Sequence, residues 1–398
     1  MTKKDKKICS ACGAAPVNHN VLFASQLINE TIGKTFDIIF SFFSAGKYPP
    51  LANFVEKILL TSSHFLGIVK YDDDIEKSLN GRSKLIWEEA RRRGIDMKQI
   101  IVFGKPVDQY KAIINGQTIF FQSIPVPLWI SQEGYDWIDD KFIFAKKFRD
   151  AGIPTPATKK VTSLKNAISA FESLHKPIII KPKSGSRARH TTTNINTKEE
   201  MKKAFLLANE ITPSMVAQEH LFGSVYRATV VDNVLVGFFR GDLPEVIGDG
   251  KKSIQELILE KNKNRHERVS LILINNELLS FIQRQGYALE SIIPMGVKVN
   301  ISAKTGRLYG SYTKEMLPEV HPKMYKIFEK AGRLASIPVA GFDLIIEDPT
   351  KDPDTQHWGI IECNSLPFID LHYFALEGEP INVAKHVWDL WDKKLYNK

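Results

Sequence analysis

Cysteine is scarce in this sequence, with three among 398 residues. So few thiols cannot staple a chain of that length, which excludes a disulfide scaffold and points to a reducing, cytoplasmic setting. Long apolar runs are missing as well. FDIIFSFF at 36–43 and KILLTSSHFLGIV at 57–69 are too short or too polar to cross a bilayer, so no membrane role is expected. The basic start MTKKDKK is followed by no apolar stretch of signal-peptide length. Several catalytic signatures are absent: there is no GxSxG, no HExxH, and no GxGxxG opening a helix. GDGKKS at 248–253 has the look of a phosphate loop, but Glu245 stands where that loop needs its first glycine.

What is present is an ordinary globular composition, 43% hydrophobic and 25% charged. At roughly 150 residues per domain the length suggests two or three domains. The formal charge of +9 is the one oddity, gathered partly in MTKKDKK, in EARRRG at 89–94 and in SRARH at 186–190. Such an excess suits nucleic acid, an acidic membrane surface or a polyanionic small molecule, and alone chooses none of them.

Along the chain, Cys9 and Cys12 form half a zinc knuckle, with His19 as a third candidate ligand and no evident fourth. SKLIWEEARRRGI at 83–95 has helical spacing and QIIVFG at 99–104 reads as a strand. KAIING and QTIFFQSIP fit a hairpin around Asn115-Gly116, so the first 135 residues contain a small α/β unit. DDKFIFAKKFRDAGIPTP predicts a helix closed by Gly152. Further helices are expected over 163–174, 198–209, much of 253–284 and the C-terminal NVAKHVWDLWDKKL. KPIIIK, MVAQEHL, YRATVV, NVLVGFFR, VAGFDLIIE and HWGIIECN read as strands. The order is mixed α+β, without regular βαβ alternation.

Three oxygen-bearing residues stand out near the C-terminus. Glu362 and Asn364 are two apart on a strand and project to one face, while Cys363 turns the other way into the core. A neighbouring strand carrying Asp343 would complete an oxygen cage of the kind that holds Mg²⁺ beside nucleotide phosphates. Lys181 and Lys183 end the strand IIIKPK before the turn Ser184-Gly185-Ser186, where cations and backbone N–H groups suit phosphate. A strand-terminal lysine reaching for water is the plain alternative.

From residue 138 to 392 these motifs, in this order, resemble the ATP-grasp superfamily, and most closely the ATP-grasp module of cyanophycin synthetases and bifunctional glutathione synthetases. The resemblance is carried by YRATVVDNVLVGFFRGDLPEVIGDGKKSIQELILEKN, QGY…IIPMG, EVHP, VAGFDLI, IIECNSLPFIDLH and GEPINVAKHV. It implies an ATP-grasp fold, two α+β subdomains sandwiching ATP, preceded by a smaller pre-ATP-grasp-like domain. Its implied division is a basic tail over 1–20, an N-terminal domain over 21–135, a small subdomain over 136–220 and a C-terminal subdomain with the metal site over 221–398.

By the same resemblance Lys146, Lys181, Lys183, Ser186, Gln218 and Glu219 would bind ATP. Asp343, Glu362 and Asn364 would hold Mg²⁺, as two ions replaceable by Mn²⁺. Arg227 and Arg240 would stabilise the transferring phosphate, and Pro367, Asp370 and His372 would face substrate. The implied reaction joins a small-molecule or peptide carboxylate to an amine through an acyl phosphate. Such chemistry needs positioning and charge neutralisation rather than a side-chain nucleophile. Self-association is common in the family, so a homo-oligomer is an open possibility, and nucleic acid is not an expected partner.

Departures from the family pattern are specific. Arg187, Ala188 and Arg189 replace glycines in the loop after Lys181, and Val225 replaces an acid expected near ribose. Asp370 stands where a basic residue would favour an acidic substrate. The reaction class carries over; the substrate does not. Two other readings stay open on the sequence alone: a nucleotide-binding scaffold without turnover, and a nucleic-acid binder using the basic N-terminus. No Mur-ligase-like module is expected after this chain's ATP-grasp region.

Overall fold

A computed structural model describes residues 18–28, 69–126, 136–184, 189–302 and 306–392. Cys9, Cys12, Ser186, Arg187, the run at 36–43 and nearly all of that at 57–69 lie outside those residues. The helix α1 (His19–Ile28) is followed by an antiparallel meander of β1 (Val69–Asp72), β2 (Asp96–Val102), β3 (Lys105–Ile114) and β4 (Gln117–Gln122). Asn115 and Gly116 both take positive φ, 49° and 75°, as the tight turn between β3 and β4 requires. Helix α2 (Gly81–Arg92) packs on this sheet, capped by the Asn80 side chain. Among the described residues every strand pairing of this unit is antiparallel.

Helix α3 (Lys141–Asp150) starts on the Asp140 cap, which accepts from the N–H groups of Phe142 and Ile143. It begins later than the pattern suggested and ends ahead of Gly152, whose φ is 67°. A second sheet, in the order β5-β8-β6-β7, combines β5 (Thr158–Val161), β6 (Ile178–Pro182), β7 (Thr192–Ile195) and β8 (Met215–Glu219). Helices α4 (Leu164–Ser173) and α5 (Lys198–Asn209) cover one face, burying Ala170, Phe171, Met201 and Phe205 against Ile178 and Ile180. Thr197 and Glu200 close a capping box at the start of α5.

The largest sheet runs β13-β10-β9-β14-β15. Its members are β9 (Ser224–Val231), β10 (Val234–Gly241), β13 (Thr313–Glu315), β14 (Val339–Ile346) and β15 (Gly359–Asn364). Between them lie β11 (Glu245–Ile247), α6 (Ile254–Lys263), α7 (Asn276–Arg284) and β12 (Lys298–Asn300), which form a small separate core. Residues 265–275 interrupt the helical stretch expected there. Helix α8 (Pro322–Ala335) packs on one face of the large sheet, with Phe328 against Phe238 and Phe342. On the other side, helix α9 (Val383–Asp392) joins the large sheet to the N-terminal meander. Trp388 donates to the Ile86 carbonyl and Trp391 to that of Pro125, at 2.9 Å each. The meander therefore shares a core with the C-terminal helix.

Candidate functional site

Register alone assembles the centre of the site. On three adjacent strands Arg227 of β9 lies opposite Asp343 of β14, which lies opposite Glu362 of β15. Directly opposed residues share a face, so the three side chains form a row. One step along, Thr229, Gly341 and Asn364 form the next row. Arg227 grips Asp343 at two points, Nε to Oδ1 at 2.6 Å and Nη2 to Oδ2 at 2.8 Å. Asn364 Nδ2 lies 3.4 Å from the same Oδ2. A Cβ on Gly341 would come within 2.7 Å of Arg227 Nη1 and 2.6 Å of Pro367, so glycine makes room for both. Cys363 faces the core, 2% exposed.

A cleft of about 270 Å³ opens beside this row. Lys141, Lys181, Ser184, Arg189 and Thr193 line it from the second sheet's side, and Glu362 from the large sheet. Lys141 Nζ is 3.9 Å from Glu362 Oε1. Burial, with Lys141 close by, pulls the Lys181 ammonium down to about 8, against the opposing pull of Glu362. Arg189 Nε, on the cleft wall, and Arg227 Nη1, in the row beside it, are buried donors with no hydrogen-bond partner among the described residues. Buried cationic N–H groups left unmatched call for an anion. The donor set beside them, two carboxylates and an amide, is the hard oxygen chemistry that suits Mg²⁺. Both oxygens of Asp343 are already bonded to Arg227, so Glu362 offers the more open carboxylate.

Other expected residues fall elsewhere. Lys146 is exposed and paired with Asp150, 2.9 Å away on the next turn of α3. It does not line the cleft; Lys141, at the first turn of the same helix, does. Lys183 Nζ turns onto Asp140 at 3.1 Å. Gln218 pairs in register with Ile179 and so shares the cleft-side face of its sheet, but it is buried with its amide on Thr158. Glu219 ends β8 next to His175.

Arg240 lies opposite Tyr226, a residue of the α8-side core, whereas Arg227 lies opposite Phe239. Strand alternation therefore directs the two arginines to opposite faces, and Arg240 meets Asp242 at 2.8 Å. They do not share one catalytic centre as expected.

His372 is also corrected. It is fully buried, with Nδ1 2.5 Å from Glu315 Oε2 and Nε2 2.6 Å from Thr229 Oγ1. Both ring nitrogens are committed to the protein, which leaves none to face a substrate. Asp370 is largely buried against the start of α2, where a Cβ on Gly81 would lie 2.7 Å from Oδ2. Burial raises its pKa, and Oδ1 has no partner among the described residues. Arg82 reaches from α2 to the Leu366 carbonyl and stacks over Phe368 at 5.0 Å. Lys141, Arg82 and Glu315 were not singled out from sequence. Only Lys141 carried a local signal, a cation directly after the helix-capping Asp140.

No protein-family model matches the chain. It is 26% identical over 329 residues to a cyanophycin synthetase of Trichormus variabilis, covering 79% of this chain and 35% of that protein. A cyanophycin synthetase of Synechocystis is 29% identical over 251 residues, 61% of this chain and 29% of its own length. The glutathione biosynthesis bifunctional protein GshAB of Clostridium perfringens is 25% identical over 265 residues, 64% of this chain and 34% of its own. The chain thus spans about a third of the length of these curated relatives. In fold it matches the bifunctional glutathione synthetase of Pasteurella multocida with a TM-score of 0.53 at 20% identity, over 79% of this chain and 44% of that one. In sequence the chain is similar to these cyanophycin and glutathione synthetases, and its α+β architecture is the ATP-grasp fold.

Proposed function

We propose that this chain is an ATP-dependent ligase joining a carboxylate to an amine, the acid and amine being amino acids or peptides. The observation that carries this reading is the convergence of Lys141, Lys181 and Glu362 on one cleft, with unmatched buried donors on Arg189 and Arg227. Residues 136–220 and 221–398 would form the two halves around ATP, with 21–135 as a pre-ATP-grasp-like domain. The relatives' names point to the same class of chemistry, amide formation on amino acids and peptides.

A carboxylate is a poor acyl donor because oxide is a poor leaving group. In the proposed reaction a substrate carboxylate oxygen attacks the γ-phosphorus of ATP, and the bond to the ADP oxygen breaks. The amine then attacks the acyl carbon of the acyl phosphate, phosphate leaves, and the amine gives up a proton. Lys141 and Lys181 supply positive charge where phosphate oxygens would lie, and Arg189 adds a buried donor. Arg227 holds Asp343 in place and offers Nη1 to an anion. Glu362, Asn364 and Asp343 would hold Mg²⁺, which when bound neutralises phosphate charge and polarises the transferred group. Two ions, Mn²⁺ as a substitute, a cytoplasmic location and a homo-oligomeric state belong to the same proposal.

Incubation with Mg²⁺, ATP and pooled amino acids and peptides should release ADP and phosphate and yield a new amide. Glu362→Gln should fold and lose turnover by about 100-fold or more, on the scale of losing electrostatic stabilisation at a reacting phosphate. Unchanged turnover in that variant would reject the metal assignment.

A further inference from the structure

Three side chains outside the proposed ligase machinery meet where α1 lies against the second sheet's half of the molecule. His19 opens α1, His190 follows the basic loop, and Glu210 follows α5. Each offers one metal-ligating atom, and the three atoms lie within 4.8 Å of one another. His19 Nδ1 is 3.3 Å from Glu210 Oε2, and the two imidazole rings meet edge-on with centroids 4.8 Å apart.

His190 is 1% exposed, and its Nδ1 lies 2.6 Å from the Leu207 carbonyl oxygen. A ring nitrogen facing a carbonyl must donate, so Nδ1, which also lies 3.9 Å from Glu210 Oε2, carries the proton, and Nε2 is the nitrogen that a metal would take. A backbone carbonyl behind one ring nitrogen is the support that metal-binding histidines usually have.

We infer that His19, His190 and Glu210 form a binding site for a divalent transition metal of the zinc class, and that the bound ion fastens α1 across the mouth of the cleft. Two imidazoles and one carboxylate suit zinc and its neighbours rather than Mg²⁺ or Ca²⁺, with a water completing four-coordination. The site is built into the cleft wall. Leu22 and Gln26 of α1 line the cleft, and Ser184 Oγ donates to Gln26 Oε1 at 3.1 Å. Arg189 and Thr191, flanking His190, and Ile211, next to Glu210, line it as well. An ion held there ties the helix that narrows the opening to the strand and helix ends that form it. What α1 would gate rests on the nucleotide reading of the cleft; the metal site does not.

The test uses the full chain, stripped with a chelator and titrated with Co²⁺ and then Zn²⁺. One equivalent of Co²⁺ should give the visible bands of a nitrogen–oxygen site, without sulfur charge transfer. His19→Ala and Glu210→Gln, both away from the core, should each weaken binding by about 100-fold or more. The Cys9→Ser/Cys12→Ser protein should bind like the unaltered chain. Hydrogen exchange should slow across 19–28 when metal is added, and not in His19→Ala. Undiminished binding in His19→Ala and Glu210→Gln, or a site lost with the two cysteines alone, overturns the metal assignment. Binding without any change in α1 exchange overturns the fastening. Neither readout involves nucleotide, so failure here is separate from failure of the ligase reading.

Discussion

Arg227 and Asp343 face each other on adjacent strands and meet through two hydrogen bonds of 2.6 and 2.8 Å, with Arg227 Nη1 left buried and unmatched. This fork fixes the carboxylate in the middle of the Arg227–Asp343–Glu362 row. Both side chains are mostly shielded, 13% and 19% exposed, so breaking the pair strands a charge. Arg227→Met should cost about 3 kcal/mol, read as a lower urea midpoint at unchanged slope. Arg227→Lys keeps the charge without the fork and should cost less, about 1–2 kcal/mol, yet still lower turnover. Equal stability of all three proteins would mean that the fork holds nothing in place.

Lys181 links stability to function in opposite senses. Its folded pKa of about 8 lies below the unfolded lysine value of about 10.4. Between these values the unfolded chain binds more protons, so this group makes stability rise with pH across that window. Below about 8 the buried charge is a full penalty. Lys181→Met should therefore stabilise the chain at pH 7, by about 1–3 kcal/mol, and flatten the rise between pH 8 and 10. Nucleotide affinity should move the other way, falling in the unaltered protein as pH climbs through about 8 and nearly vanishing in the variant. Thermal melts and fluorescent-nucleotide titrations across pH check both.

Lys141 and Lys146 sit on one helix and should behave differently. Lys141→Ala is expected to weaken nucleotide binding by about tenfold or more, the loss of one charge-assisted contact of about 1.5–3 kcal/mol. Lys146→Ala removes only an exposed pair with Asp150 and should leave binding within about twofold. A reversed order would restore Lys146 to the site.

Glu315 is a buried carboxylate that accepts from the N–H groups of Phe238, Met316 and Leu317 at 2.8, 3.2 and 3.1 Å, and also meets His372. Glu315→Gln turns one acceptor into a donor among donors and should destabilise by about 2–4 kcal/mol. His372→Asn should destabilise similarly without altering nucleotide affinity in the folded fraction. If His372→Asn instead raised only the KM for an acid substrate, its structural role would be refuted.

These cases mark where sequence reading reached and where it stopped. Strand periodicity and apolar flanks were enough to set Glu362 and Asn364 on one face and Cys363 on the other, because period two is a local property. The β3–β4 hairpin was legible through Asn115-Gly116 for the same reason. His372 was misread because the residue that claims it, Glu315, is 57 positions away and arrives only with β13. Arg227 and Arg240 looked like a pair in sequence, yet the hairpin register sends them to opposite faces. Lys146 and Lys141 are five residues apart on α3, and only the docking of that helix by its first turn, through Asp140 to Lys183, selects between them.

The central claim, ligation through an acyl phosphate, is tested most directly by hydroxylamine trapping. The protein, Mg²⁺, ATP and each candidate acid would be incubated with hydroxylamine in place of the amine, and hydroxamate measured alongside ADP. Stoichiometric hydroxamate and ADP with at least one amino acid or peptide, absent in Glu362→Gln, is the predicted result. ATP bound tightly in the cleft, with neither hydroxamate nor ADP formed from any acid, would contradict it.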